Sequence, residues 1–169
     1  MHTCRVRNSA VLDSVIGGLR VVVTEGVVVS VEFGAAPSKA ADERLHPVLD
    51  QALVELSEYF GGERTDFAVT TAFTSGSEFE LAVWEQIATI PYGQTRTYGE
   101  IARAVGEPGG AQAVGAACGR NPVPVIVPCH RVVGAGGKLV GFGGGLPRKR
   151  RLLALEAKVA IERGLDPTP

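Results

Sequence analysis

A cysteine and a histidine stand side by side at Cys129-His130, within Pro128-Cys129-His130-Arg131, after the apolar run Val125-Ile126-Val127 and before a glycine-rich segment. A thiol attacks only as its anion, and its unperturbed pKa of about 8.5 rises further in apolar surroundings, so Cys129 needs an activating partner. A neighbouring base and a flexible backbone suit a nucleophile that must meet a bulky substrate. Adjacent residues of an extended chain point to opposite sides, which predicts that His130 does not touch Cys129 directly. The bland alternative for a cysteine beside an apolar run is an inert core residue, and the surrounding motifs weigh against it. A phosphate-binding loop is the rival reading of the glycine run, but Gly137-Lys138-Leu139 lacks the Ser or Thr after the lysine and the right preceding pattern.

Several elements must position these residues. Val11-Leu12, Leu19 to Val23 and Val27 to Phe33 are β-branched runs broken at Gly17-Gly18 and Glu25-Gly26, which predicts a short antiparallel meander. Leu49, Leu53, Leu56 and Phe60 recur at helical spacing, with Gly61-Gly62 as the stop. A second helix is expected from about Glu78 to Ile90 with Ser77 as its cap, and a third from Tyr98 to Val105 capped by Thr97. The turn Gly106-Glu107-Pro108-Gly109 leads to a fourth, from Gly110 to about Cys118. Two short helices across a tight glycine-containing turn read as a helix-turn-helix, whose second member meets DNA. That second helix, Gly110 to Ala117, has almost no long polar side chain with which to read base edges. Its small residues instead let the backbone lie close to a partner. Packing against another helix is the competing explanation.

With 169 residues the chain can bury one good core, or two small ones that share an interface. At 45% hydrophobic and 21% charged residues it reads as a globular protein. No membrane span and no leader are expected, which favours a cytoplasmic or nucleoid location. Cys4, Cys118 and Cys129 match neither a disulfide framework nor a zinc site, so no metal and no cofactor are expected. The net charge of −1 hides a segregation. Between Pro108 and Leu155 there is no acidic residue, whereas Arg120, Arg131, Lys138, Arg148, Lys149, Arg150 and Arg151 are all basic. Such a distribution suits a protein with one face toward nucleic acid, although Arg148 to Arg151 could equally be a solvated helix start.

The series Asn121-Pro122-Val123-Pro124, Pro128-Cys129-His130-Arg131-Val132-Val133-Gly134, Gly141-Phe142-Gly143-Gly144-Gly145-Leu146 and Leu152 to Glu156 resembles, in order and spacing, the O6-alkylguanine-DNA alkyltransferases. Phe79, Val83-Trp84, Ile90-Pro91-Tyr92-Gly93, Tyr98 and Ala113-Val114-Gly115 extend the likeness upstream, with a weaker echo at Asp13-Ser14 and Ile16-Gly17. The resemblance implies an α+β fold. Residues 1–75 would be an RNase H-like supporting domain, and residues 76–169 a mostly helical, winged-helix-like domain with the helix-turn-helix and the active site. It also implies direct reversal of damage, in which Cys129 takes an alkyl group irreversibly from O6 of guanine in double-stranded DNA and is consumed. A bridging water would link Cys129 to His130, with Glu156 orienting the imidazole. Tyr98 would crowd the target phosphate and assist proton delivery to the departing guanine, and Asn121 would tie the helix-turn-helix to the active-site loop. Ala111, Gln112, Ala113, Gly115, Arg120 and Arg131 would meet DNA in the minor groove around a flipped base. Pro124, Val132, Phe142, Gly143, Gly144 and Cys118 would line the pocket. A monomer is the expected state.

The chain departs from the family pattern at four positions. Gln112 replaces the usual arginine that fills the gap left by the flipped base, and lacks its charge and planar stacking surface. Phe142 replaces a tyrosine, Cys118 stands where asparagine or a larger residue is common, and Val15 replaces a proline. Two other functions compete. One is a non-catalytic lesion-binding relative, although those typically carry tryptophan where this chain has Cys129. The other is a cysteine hydrolase acting on small molecules.

Overall fold

The computed structural model describes residues 7–36 and 46–166, so Cys4 lies outside the described residues. The chain divides into two compact units, residues 1–74 and 75–169.

In the first unit β1 (Arg7–Leu12), β2 (Leu19–Thr24) and β3 (Val27–Phe33) form an antiparallel sheet in that order. Glu25 and Gly26 join β2 to β3 with φ of 52° and 78°, the pair of positive values that a type I′ hairpin turn requires. α1 (Pro47–Phe60) lies against the sheet. It buries Leu49, Ala52, Leu56 and Tyr59, while the sheet buries Leu19, Val21, Val23 and Val31. Glu55 also points inward, where its carboxylate accepts from the Ala68 and Val69 amides at 2.8 and 3.2 Å and so anchors the returning chain.

The second unit contains α2 (Glu78–Ala88), β4 (Arg96–Thr97), α3 (Tyr98–Ala104), α4 (Ala111–Gly119), β5 (Val132–Val133) and α5 (Leu146–Glu162). Ser77 and Thr97 cap α2 and α3 as expected, each closing a capping box with the glutamate three residues on, Glu80 and Glu100. α2 ends at Ala88 rather than at Ile90, because the residue before Pro91 is disfavoured in the helical region. The freed Ile90 carbonyl accepts from Arg131 instead. Val83 and Ile87 of α2 are buried along with Ile101, Val114, Leu152 and Val159 of the helices that follow, and Trp84 Nε1 donates to the Ala117 carbonyl at 2.8 Å. β4 and β5 pair in parallel, Arg96 with Val132 and Thr97 with Val133. That short ladder clamps the start of α3, which carries Tyr98, beside the segment that follows Cys129. Gly93 closes the framework from the other side: with φ of 77°, and with any Cβ falling 2.9 Å from that of Ala160, only glycine fits where this turn meets α5. Among the described residues no helix is long and apolar enough to cross a membrane.

Candidate active site

Asn121 builds the approach to Cys129. Its Nδ2 donates to the Val127 carbonyl at 2.9 Å while its Oδ1 accepts from the Val123 amide at 3.0 Å. The turn so enclosed holds Val125 at φ 73°, a left-handed conformation that costs a β-branched residue about 1–3 kcal/mol. Cys129–Arg131 then forms a single 3-10 turn, so the expectation of an extended chain here is corrected. Successive side chains diverge by about 120° instead of alternating. Cys129 lines a cavity, whereas His130 is fully buried and meets Glu156.

Glu156, 1% exposed on α5, is the hub of this interior. Its Oε1 lies 2.7 Å from His130 Nε2, and Arg131 forks onto the same carboxylate, Nη2 to Oε1 at 2.9 Å and Nε to Oε2 at 2.9 Å. The Gly93 amide donates to Oε2 at 3.2 Å. Burial alone would raise the Glu156 pKa, but His130 and Arg131 outweigh it and hold the carboxyl well below the ordinary range. His130 is pushed down by burial against the pull of Glu156, with Arg131 and Lys149 adding to the depression. Burial likewise pushes the Cys129 thiol up, opposed by hydrogen bonding from Asn121, by the Lys149 charge and by the backbone amides at 129 and 130. Burial thus works against charge on both groups, and the surrounding charges and hydrogen bonds work partly in its favour. With Nε2–H donated to Glu156, Nδ1 is left as the proton-accepting nitrogen.

The cavity has a volume of about 430 Å³, within the range of about 300–1,000 Å³ usual for small-molecule sites. One wall is the face of α4 that carries Ala111, Gln112, Gly115, Cys118 and Gly119. Val140 to Gly143 form the opposite wall, and Tyr98, Cys129 and Lys149 complete the lining. Tyr98 OH donates to the Val140 carbonyl at 2.8 Å and accepts from Lys149 Nζ at 3.2 Å. Lys149 also donates to the Val132 and Gly141 carbonyls. Burial, with added repulsion from Cys118 and Cys129 in their charged forms, pushes the Tyr98 phenol to about 12. Burial also lowers Lys149 and takes Cys118 to about 12.

Several positions differ from the sequence-based expectations. Arg131 does not face DNA: it is 6% exposed, and its guanidinium is committed to Glu156 and the Ile90 carbonyl. Val132 and Pro124 are buried off the cavity wall, Val132 because its strand pairs with β4. Gly144 is buried too, its carbonyl accepting from Arg148 Nη1 at 2.8 Å, whereas Gly143 does line the cavity. Of the seven cations counted toward a basic face, Arg131 and Lys149 are interior. Ala113 is exposed on α4 outside the cavity lining, and Arg120 is exposed at the end of α4, paired with Glu80 at 2.7 Å. Lys149 is the residue that sequence reasoning missed. Its signal was the register of α5, because Lys149, Leu152, Glu156 and Val159 fall on one helical face and all are buried.

A buried thiol backed by an imidazole and a carboxylate, opening into a cavity walled by a small-residue helix, is the arrangement of a thiol-dependent transfer site. Two family models match the chain: the ribonuclease-like domain of 6-O-methylguanine DNA methyltransferase over residues 9–73, and the DNA binding domain of the same over residues 78–158. A methylated-DNA--protein-cysteine methyltransferase of Mycobacterium leprae is 45% identical over 156 residues, covering 92% of this chain and 93% of the relative. A protein of the same description from Mycolicibacterium paratuberculosis is 56% identical over 107 residues, 63% of this chain and 64% of that relative's length. The crystal structure of Mycobacterium tuberculosis O6-methylguanine methyltransferase superposes with a TM-score of 0.80 at 42% identity, covering 92% of this chain and 95% of that one. A structure of Mycobacterium tuberculosis OGT in complex with DNA gives 0.80 at 43% identity, covering 90% and 94%. The chain belongs to the 6-O-methylguanine DNA methyltransferase family.

Proposed function

We propose that this protein repairs DNA by direct reversal, moving an alkyl group from O6 of guanine to the sulfur of Cys129. The observation that carries this reading is Cys129 on the wall of the cavity with the His130–Glu156 pair, 2.7 Å apart, behind it. His130 Nδ1 takes the thiol proton through a bridging water. The sulfur then attacks the alkyl carbon, so that an S–C bond forms as the C–O6 bond breaks, and guanine departs with the electron pair. Tyr98 gives the leaving base its proton, and the Lys149 ammonium at 3.2 Å offsets the charge left on the phenol oxygen. One proton leaves the thiol and one arrives on guanine, which balances the transfer. A thioether is not readily expelled, so each molecule acts once.

O6 of guanine is out of reach inside a duplex, and extruding the base costs a few kcal/mol. In this reading α3 and α4 act as a helix-turn-helix whose second helix enters the minor groove, Ala111, Ala113 and Gly115 permitting close backbone approach. Gln112, at the cavity, occupies the gap in the stack, and Arg120 exchanges Glu80 for a phosphate. Residues 76–169 carry DNA binding and chemistry while residues 1–75 support them. The protein works as a monomer in the cytoplasm. The test is incubation with a duplex containing O6-methylguanine followed by peptide mass analysis. One methyl group per chain on Cys129 is expected; tight binding with a bare thiol points to lesion recognition without chemistry, and a chain that is neither methylated nor bound to the lesion sinks both readings.

A further inference from the structure

A second cavity, of about 390 Å³, opens against α3 and is lined by Gln94, Thr95, Arg96, Glu100 and Arg103. Arg96 and Arg103 are exposed, and among the described residues neither guanidinium has a hydrogen-bond or ion-pair partner. The carboxylate beside them is engaged elsewhere, because Glu100 accepts from the Thr97 amide at 2.7 Å and from Thr97 Oγ1 at 2.9 Å. Those two bonds hold its carboxyl below the ordinary range, with the charges of Arg103 and Arg96 adding to them against burial. The cleft therefore carries two cations and one anion. Arg103 folds back over the first turn of α3, its Nη1 lying 3.8 Å from the place a Cβ on Gly99 would take. Arg96 is fixed by its pairing with Val132. Both thus stand at the turn that carries Tyr98, which lines the first cavity. Thr95 adds a hydroxyl, and Gln94 keeps an amide hydrogen beyond its 3.3 Å bond to the Asp166 carbonyl. Guanidinium forks and neutral donors around one concavity make a donor set for a phosphate oxyanion.

We propose that this cleft holds a DNA phosphodiester, one of those flanking the extruded nucleotide on the same strand. The first helix of a helix-turn-helix crosses the backbone, and here that helix presents Tyr98 to the base cavity and the two arginines beside it. The second helix cannot do this work. α4 has no cation along its length, Arg120 at its end is paired with Glu80, and Arg131 and Lys149 are interior. Arg96 and Arg103 also lie outside the acid-free stretch from Pro108 to Leu155, so the charge pattern of the sequence does not mark them. A free phosphate ion has the same chemistry, but these donors are exposed and offer it little over water. A phosphodiester is held at the cleft by the rest of the interface, and in return fixes the register of the strand. The inference rests on the DNA-binding reading of α3 and α4, and adds to it the place where the backbone is gripped.

The experiment measures binding of the full-length protein to undamaged duplex by anisotropy across a salt series. Replacing both arginines, Arg96→Gln with Arg103→Gln, should weaken binding and lower the slope of log K against log salt by about one. Lys158→Gln removes an exposed charge from α5 and should leave the slope unmoved. The position is read separately, from single-turnover methyl transfer at sub-saturating protein. In those duplexes one phosphate at a time around a fixed O6-methylguanine is replaced by an uncharged methylphosphonate. One flanking position should slow the wild-type chain and make no difference to the double variant. An unchanged slope in the double variant, an equal fall in Lys158→Gln, or a methylphosphonate profile that the arginines do not alter overturns the proposal. So does loss of inorganic phosphate binding in the double variant, followed by phosphorus NMR, with duplex binding intact, since the cleft would then serve a free anion. A wild-type chain that shows the salt effect but leaves Cys129 bare sinks the repair reading and not the phosphate site. Methylated Cys129 with none of these effects sinks the site alone.

Discussion

Replacing Lys149 with methionine separates the two jobs that its position implies. The ammonium lies 3.2 Å from the Tyr98 oxygen. At that separation and an effective dielectric of about 20, two full charges interact by about 5 kcal/mol. Only part of a charge develops on Tyr98 as guanine departs, and a quarter to a half of that value, about 1.3–2.5 kcal/mol, corresponds to methyl transfer roughly 10- to 70-fold slower. Methionine fills most of the volume but leaves the Val132 and Gly141 carbonyls without this donor, a cost of about 1–3 kcal/mol for each buried acceptor, offset in part because an ammonium need no longer be desolvated. The variant should therefore fold with reduced stability. The assay is single-turnover transfer from a tritiated O6-methylguanine duplex, run beside alkylation of Cys129 by iodoacetamide, whose iodide leaves without a proton. The loss should be several times larger for the methylated duplex. Transfer within about twofold of wild type, or equal losses in both reactions, would refute the assistance to the leaving base and leave Lys149 acting only on the sulfur.

Gln112 lines the cavity from α4 and has neither the charge nor the planar stacking group of an arginine. Gln112→Arg should speed single-turnover repair of duplex DNA by about tenfold and of a single-stranded lesion much less, because only the duplex requires extrusion; equal rates on duplex before and after would remove Gln112 from the account. Glu80→Gln keeps a capping-box residue for α2 but takes the counter-charge from Arg120. Affinity for undamaged duplex should rise about two- to fivefold at low salt and its salt dependence should steepen, measured by anisotropy across a salt series. A flat response would mean that Arg120 does not meet phosphate. Acid stability should fall in two stages. His130 is depressed in the folded chain, so its contribution is present above its ordinary value of about 6.5 and is lost as pH drops below it. Glu156 is also depressed, so its contribution is present above about 4.3 and is lost as pH falls further toward its folded value. Each group adds a slope of up to about 1.4 kcal/mol per pH unit, to be read from denaturant unfolding between pH 8 and 3, and a flat profile contradicts the buried network.

What was legible in the sequence was whatever local rules determine. The helix over Pro47–Phe60 shows in its apolar spacing and its glycine stop, the caps at Ser77 and Thr97 in the glutamates three residues on, and the meander in its β-branched runs and glycine turns. The pocket was legible in part. Glycines mark a segment with room beside it, but only the folded chain distinguishes Gly143 on the wall from Gly144 behind it. Charge was the least legible property. Counting cations treats each as solvated, and that assumption fails for Arg131, whose partners lie 25 and 41 residues away in Glu156 and Ile90. It fails for Lys149 as well, though there the register of α5 carried a warning.

The two burials have a common cause. Burial in an apolar pocket resists ionisation of a nucleophilic thiol, and the groups proposed to ionise it and to protonate the leaving base are most effective inside too, because charges in water would be screened before they acted. Among the described residues of the second unit Glu156 is the one buried carboxylate, and Arg131 is paired with it while Lys149 lines the cavity next to Tyr98. Each cation finds enough donors and acceptors to be tolerated: two carboxylate oxygens and a carbonyl for Arg131, two carbonyls and a phenol for Lys149. The segregation of charge along the chain is thus partly a surface property, carried by exposed Arg120, Lys138, Arg150 and Arg151, and partly the imprint of two cations, Arg131 and Lys149, buried beside the site.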